Sequence, residues 1–210
     1  KIAVQLHGTT KFKIGEDEID FKAPFRRLPM LEAIKEYAGV DIAGMDESRL
    51  RETCKDLKDE IEPSMGKGKL IDAIFGEFCE KELIQPTYVI DYPVEMSPLT
   101  KRHRSTERFE LFVCGHELAN AYSELNDPID QRERFEDQAK LKSNGDDEAM
   151  YIDYDFLRAL EYGMPPTSGL GIGIDRLAML MTNQPTIQDV LFFPQMRPEK
   201  ALASEETEEK

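Results

Sequence analysis

Between Thr106 and Pro128 the chain reads TERFELFVCGHELANAYSELNDP, which places Glu110, Glu117 and Glu124 beside Asn120 and Tyr122 in what patterns as two short strands and a turn. A hairpin that only filled a core would not carry acids at both parities. Glu110 and Glu117 flank an expected turn at Gly115–His116, close enough to share a divalent ion. Mg2+ is commonly held by one or two carboxylates alongside phosphate oxygens. Glu124 with Asn120 and Tyr122 could line a pocket for an ammonium group, the carboxylate supplying charge while amide and phenol oxygens take the remaining N–H bonds. An exposed face of an edge hairpin also explains the acids, but not the Asn-Tyr-Glu face beside them. In a regular strand Asn120, Tyr122 and Glu124 share a parity that Glu117 lacks. A single site therefore requires a bulge or kink near Leu118 to Asn120.

A second stretch, SGLGIGIDR over residues 168–176, alternates Gly169, Gly171 and Gly173 with Leu170, Ile172 and Ile174. In a strand this leaves one face as bare backbone and the other aliphatic. Glycine weakens a strand, so three in alternation point either to close approach by a flat ligand or to tight packing against a helix. Arg176, just past the glycines, could stack on a base or pair with a phosphate through its planar fork, or form an ordinary ion pair. The spacing is not that of the GxGxxG nucleotide turn.

The elements that must position these residues read as follows. Residues 1–26 pattern as β: KIAVQL as part of a strand, and KFKIGEDEIDF as a hairpin turning at Gly15 to Asp17. Residues 27–85 pattern as helical, with Pro29 near a first helix start and Asp46 or Ser48 capping a second helix that runs to about Ile61. A third helix follows Gly66 and Gly68, with Ile71, Ile74, Phe75 and Phe78 as its apolar stripe. The GKGK run fails as a phosphate loop, because neither Gly-Lys pair has the required upstream Gly or following Ser/Thr. Lys67 and Lys69 are read as solvated. Thr87 to Ile90 form a strand, DYPVEMSPL an extended, bent segment, and KRHRSTER a basic loop, either solvated or contacting phosphate. Helices follow from Asp127-Pro128, with Ile129, Arg132, Phe135 and Leu141 as a partly buried face, and through Phe156, Leu157 and Leu160 to Gly163. SNGDDE reads as a turn and fresh cap between them. Leu177, Leu180 and Met181 bury one face of a short helix, LFFPQMRP closes the core, and residues 201–210 are an acidic, disordered tail.

The composition sets limits. With 210 residues, 40% hydrophobic and 33% charged, the chain can fold. Its formal net charge of −15 makes it a poor holder of a phosphate backbone by itself. The three cysteines have no CxxC spacing and read as buried thiols in a reducing cytosol. No apolar run approaches the roughly 20 residues of a membrane span. The start carries no signal-peptide pattern; it opens mid-strand with KIAVQL and no initiator Met, which suggests a fragment.

At its two chemical stretches the chain resembles a known family. GLGIGIDR is similar to motif 3 of the class II aminoacyl-tRNA synthetases. FELFVCGHELANAYSELNDP, with YPVEMSPL upstream and LFFPQMRP downstream, resembles the lysyl-tRNA synthetases of class II over essentially residues 1–200. The resemblance implies an α+β fold, an antiparallel sheet flanked by helices. Core strands would occupy residues 1–26, a helical insertion 27–85 and the C-terminal part of the catalytic core 86–200. It implies ATP-dependent activation of L-lysine to lysyl-adenylate and transfer to tRNA(Lys), with Mg2+ as cofactor, in a cytoplasmic enzyme that is a homodimer at full length. By the same resemblance Glu110 and Glu117 hold Mg2+ and ATP, Asn120, Tyr122 and Glu124 form the lysine pocket with Glu124 at the ε-ammonium, and Gly173 and Arg176 belong to the ATP site.

Motif 1 (the main dimer element), motif 2 with its α-phosphate arginine, and the anticodon-binding barrel are not found in the 210 residues, so the chain alone is expected not to form the adenylate. The family also usually has several more residues between Ser105 and Thr106. Two other readings remain open at this level: a ligase that attaches lysine to a translation factor, and a non-catalytic module binding lysine or a protein partner.

Overall fold

The computed structural model describes residues 1–57, 61–101, 106–143 and 151–195, apart from the Leu141 side chain. The sequence-based expectations for KRHRSTER at residues 102–105, for most of the SNGDDE turn, for Leu141, for the end of LFFPQMRP and for the acidic tail lie outside these residues.

Among the described residues the main sheet has five strands in spatial order β3 (Arg26–Pro29), β4 (Thr87–Ile90), β5 (Arg108–Val113), β6 (His116–Ser123) and β7 (Ser168–Ile172). Strands β4 to β7 pair antiparallel, whereas β3 and β4 run parallel with Leu28 opposite Val89. A parallel pair needs a crossover connection. The helical segment supplies it: α2 (Met30–Tyr37), α3 (Glu47–Asp56) and α4 (Lys67–Phe78) all lie between β3 and β4 in the chain. The α+β expectation of a sheet flanked by helices holds, with this parallel edge pair added.

Local chemistry explains most boundaries. The Asp46 carboxylate accepts from the Arg49 amide and caps α3, which ends at Asp56, short of the expected Ile61. Asp127 Oδ1 accepts from the Ile129 amide at 2.9 Å and opens α5 (Pro128–Ser143), with Pro at the first helical position. Asp153 caps α6 (Tyr154–Glu161) by accepting from the Phe156 amide at 2.8 Å. Gly173 caps α7 (Ile174–Thr182). A two-stranded hairpin, β1 (Lys11–Ile14) and β2 (Asp17–Asp20), turns at Gly15 as its alternation indicated.

Further expectations are corrected. Ile2–His7 form a helix, α1, not a strand. Its alternating Ile2, Val4 and Leu6 are all exposed, while Ala3 is buried, the His7 ring lies 2.9 Å from the Met181 carbonyl, and Gly8 ends the helix in the left-handed region. Tertiary anchoring on α7 thus overrides a period-two pattern. DYPVEMSPL carries a 3-10 turn over Val94–Met96 where a purely extended course was expected. Ile129 is 70% exposed, so α5 buries Phe135 and Gln131 without it. LFFP does not close the core: Phe192 and Phe193, which follow α7 in the chain, are 95% and 94% exposed.

Two apolar cores sandwich the sheet. Leu28, Ile34, Leu50, Ile71, Ile74, Phe75, Val89 and Phe112 join the crossover helices to one face. Ala3, Ile19, Val113, Leu118, Leu180 and Met181 join α1, the hairpin and α7 to the other. Cys54 and Cys79 are buried; burial pushes the Cys79 thiol up to about 12, so it behaves as a core side chain. Among the described residues no helix is long and apolar enough to cross a membrane.

Two glycines of α4 test this packing with opposite signs. A Cβ on Gly68 would stand 2.7 Å from the Glu95 backbone carbonyl, whereas one on Gly76 would meet nothing within 4 Å. Gly76→Ala should raise stability by about 0.5–1 kcal/mol through helix propensity. Gly68→Ala should lower it, because α4 must move off the 3-10 turn. Urea denaturation of the two variants distinguishes these outcomes.

Candidate functional site

The site begins with one irregular step in the β5–β6 ladder. Val113 pairs with His116 and Phe112 with Glu117, but Leu111 then pairs with Ala119, so Leu118 is an extra residue in β6. The hairpin turn is Cys114–Gly115, both at positive φ, one residue earlier than the sequence suggested. Past the bulge Glu110 lies opposite Asn120 and Arg108 opposite Tyr122. Directly opposed residues share a face. The bulge therefore turns Asn120 and Tyr122 to the side that carries Glu110 and, before the bulge, Glu117. Without it Asn120 would pair with Phe109 on the other side. The register break falls where the parity conflict demanded it.

Strand β7 extends the same face. Asn120 lies opposite Gly171 and Tyr122 opposite Gly169, so the glycines share the face of the polar residues. A Cβ at Gly169 would overlap the Glu124 carboxylate, which lies across that glycine. Among the described residues a Cβ at Gly171 would meet only the Asn120 carbonyl within 4 Å, at 3.9 Å. The glycine face is thus open at its centre and roofed by Glu124 at one end. Glu124 is tied down by its own amide, which donates to the Thr167 carbonyl at 2.9 Å, and by a bridge to Thr100. Gly173 donates its amide to the Leu118 carbonyl at 2.9 Å, joining the bulge to the start of α7.

From α7, Arg176 reaches back and donates to the Glu117 carbonyl oxygen at 2.6 Å. Glu117 is held above the usual carboxylate range, first by burial and then by the nearby Glu110 charge, with Arg176 and Arg108 opposing. Glu80, from the turn after α4, is raised by burial and by the charges of Asp72, Glu110 and Glu117. Glu110, Glu117, Glu80 and Arg176 therefore share one electrostatic neighbourhood. The Tyr122 phenol is pushed up by burial and then by Glu124, so it stays protonated.

Glu110 is buried and has a partner on each oxygen: Arg108 Nη2 donates to Oε1, and the Tyr92 hydroxyl donates to Oε2 at 2.6 Å. Burial and the Glu110 carboxylate push the Tyr92 phenol far above its ordinary value, so it remains a donor. A cavity of about 570 Å3 opens beside this pair, between the N-terminus of α4, the 3-10 turn and α5, with Lys67, Asp72, Glu80 and Arg134 in its wall. It adjoins the acidic end of the face, not the glycine floor.

The donor set suits a hard divalent ion in one specific sense. Among the described residues no group of three or more His, Cys, Asp or Glu could enclose a metal. Mg2+, however, takes one or two carboxylates plus phosphate oxygens and water. Glu110 and Glu117 are two carboxylates close enough to raise the pKa of one of them. Each Glu110 oxygen already accepts one bond but keeps further lone pairs. The chain's residues fit Mg2+ held jointly with a phosphate ligand.

Arg108, Tyr92 and Glu80 were not singled out from the sequence. Arg108 was counted in the basic run KRHRSTER, but it is the first residue of β5, and its even spacing from Glu110 was the signal that placed it on the site face. Tyr92 and Glu80 lie in a bend and a short turn that carry no periodic pattern.

The sequence has counterparts among known proteins. A family described as tRNA synthetases class II (D, K and N) matches residues 2–197. A lysine–tRNA ligase of Porphyromonas gingivalis is 66% identical over all of this chain and 37% of its own length. One from Christiangramia forsetii is 63% identical over 99% of this chain and 37% of its length, and one from Azobacteroides pseudotrichonymphae is 64% identical over 95% and 41%. The chain thus spans about 37% of the length of the first of these relatives. A family match that runs across nearly all 210 residues is decisive: the chain belongs to the class II tRNA synthetases of the D, K and N group.

Proposed function

We propose that this site activates L-lysine with ATP to lysyl-adenylate for transfer to tRNA(Lys), in a cytoplasmic lysine–tRNA ligase that works at full length as a homodimer. The observation that carries the reading is the bulge at Leu118, which gathers Glu110, Glu117, Asn120, Tyr122 and the glycines on one face. The names of the relatives support tRNA, not a translation factor, as acceptor.

Each residue has a role that its surroundings support. Glu124, lying over Gly169 beside Tyr122, meets the ε-ammonium of lysine. Tyr122 lines the same pocket, and Asn120 lies beside it with its Oδ1 already accepting from Arg108 Nε at 3.3 Å, which corrects the expectation that this amide oxygen meets the ammonium. The open backbone around Gly171 admits the flat nucleotide, and Arg176 at the start of α7 contacts it. Glu110 and Glu117 would hold Mg2+, which supplies charge neutralisation for the phosphates when bound. The lysine carboxylate attacks the α-phosphate in line, and pyrophosphate leaves. Catalysis is positioning and charge stabilisation, with no covalent enzyme intermediate.

Lysine-dependent ATP–pyrophosphate exchange tests the reading on a polypeptide extended to the full length of the relatives. There Glu124→Gln should raise the KM for lysine roughly 10- to 100-fold, the worth of a charged hydrogen bond. An unchanged KM would remove Glu124 from the pocket. The 210-residue chain alone should give no appreciable exchange; near full-length activity would overturn that expectation.

The glycine floor has its own test. Gly171→Val adds a good strand former where there is space, so thermal stability should hold or rise. ATP binding, followed by calorimetry at full length, should fall at least tenfold, since a methyl-bearing side chain then fills the open face.

The acidic end has a ligand-free test. A raised carboxylate pKa contributes stability that is fully present below the unfolded value of 4.5 and lost as pH rises through the folded value. Glu80→Gln should therefore raise the melting temperature at pH 7, and the gain should vanish on acidification below 4.5. A gain independent of pH would show that charge repulsion is not its cause.

A further inference from the structure

We infer that Arg108 is a positioning residue that couples the amino-acid side of the site to its acidic side. The inference rests on the function proposed above. Arg108 is one of five basic residues in the run KRHRSTER, whose composition suits a phosphate contact. Its guanidinium is committed elsewhere. The side chain is only 17% exposed, and all three of its nitrogens donate within the protein. Nε donates to Asn120 Oδ1 at 3.3 Å, Nη1 to the Met96 carbonyl at 2.8 Å and Ser97 Oγ at 3.0 Å, and Nη2 to Glu110 Oε1. Its carbon lies 4.5 Å from the centre of the Tyr92 ring, whose hydroxyl holds the other Glu110 oxygen.

Two orientations follow from this one planar group. The guanidinium has donors only. Asn120 must therefore turn its oxygen toward Arg108 and its NH2 the other way, because the flipped amide would set donor against donor. Asn120 consequently meets a ligand chiefly as a donor, suited to the lysine carboxylate more than to its ammonium. Glu110, gripped at both oxygens, is fixed in plane and rotation. The Met96 carbonyl and the buried Ser97 hydroxyl in turn hold the guanidinium. Lysine's charge is a compact point on a flexible stem and cannot reproduce this fork. Removing the fork releases Asn120 and Glu110 together, whereas Tyr92→Phe releases Glu110 alone.

The test uses the full-length polypeptide, with two readouts: the lysine dissociation constant by calorimetry without Mg2+ or ATP, and the Mg2+ concentration giving half-maximal exchange. Arg108→Lys should weaken lysine binding and raise the Mg2+ requirement, each by about fivefold or more. Tyr92→Phe should raise the Mg2+ requirement while leaving lysine binding within about twofold. An active wild type whose Arg108→Lys variant changes neither quantity, or only one, overturns the coupling. If Arg108→Lys does not fold, Ser97→Ala decides: it loosens the guanidinium without removing charge, so both quantities must shift in parallel, and no shift overturns the proposal. A wild type without lysine-dependent exchange would instead refute the proposed function.

Discussion

A β-strand permits each side chain only two directions, and the site depends on a single violation of that rule. Leu118 is the extra residue in β6, and it changes which side everything after it faces. The violation is held by the fold. The Leu118 side chain is buried with Val113 in the second core, and its carbonyl accepts the Gly173 amide at the head of α7. The same helix sends Arg176 back to the Glu117 carbonyl, one residue before the bulge. Apolar burial on one side of the sheet thereby fixes a polar constellation on the other.

That constellation is electrostatically unfinished. Glu117 and Glu80 are each held above their ordinary values by burial and by neighbouring carboxylates, and Arg176 and Arg108 only partly offset this. A chain of net charge −15 has cations to spare for ion pairs elsewhere, such as Lys67 with Glu95 and Lys35 with Asp41, yet the acids of the site retain mutual repulsion. Such a surface gains most from a ligand that brings positive charge, the property shared by a divalent ion and an ammonium group.

The sequence disclosed these features unevenly. The bulge was legible because Glu117 and Glu124 conflict in parity, and a conflict of that kind is arithmetic. The glycine face of β7 and the cap at Asp46 were legible because each depends on residue type at one position. The parallel pairing of β3 with β4 was not, since a strand of four residues carries no mark of its partner's direction. Helix α1 was misread because its alternating apolar residues are exposed, and its burial rests on Ala3 and His7 contacts to distant residues. Arg108 was hidden by composition: a cluster of basic residues looks solvated until the ladder assigns one of them to a strand.

The crossover between β3 and β4 also bears on how the chain reaches this state. Leu28 and Val89 are neighbours in the sheet, but three helices lie between them in the chain. Closing so long a loop costs entropy that only the completed pairing and core repay. Contacts of this separation slow folding, while hairpins such as β1–β2 and β5–β6 form from local chain. The bulged hairpin can therefore assemble early, with Asn120 already facing Glu110. Arg108 gains its Met96 and Ser97 anchors only when the segment after β4 arrives. The hairpin supplies the pattern of the site, and the slow parallel closure supplies its rigidity.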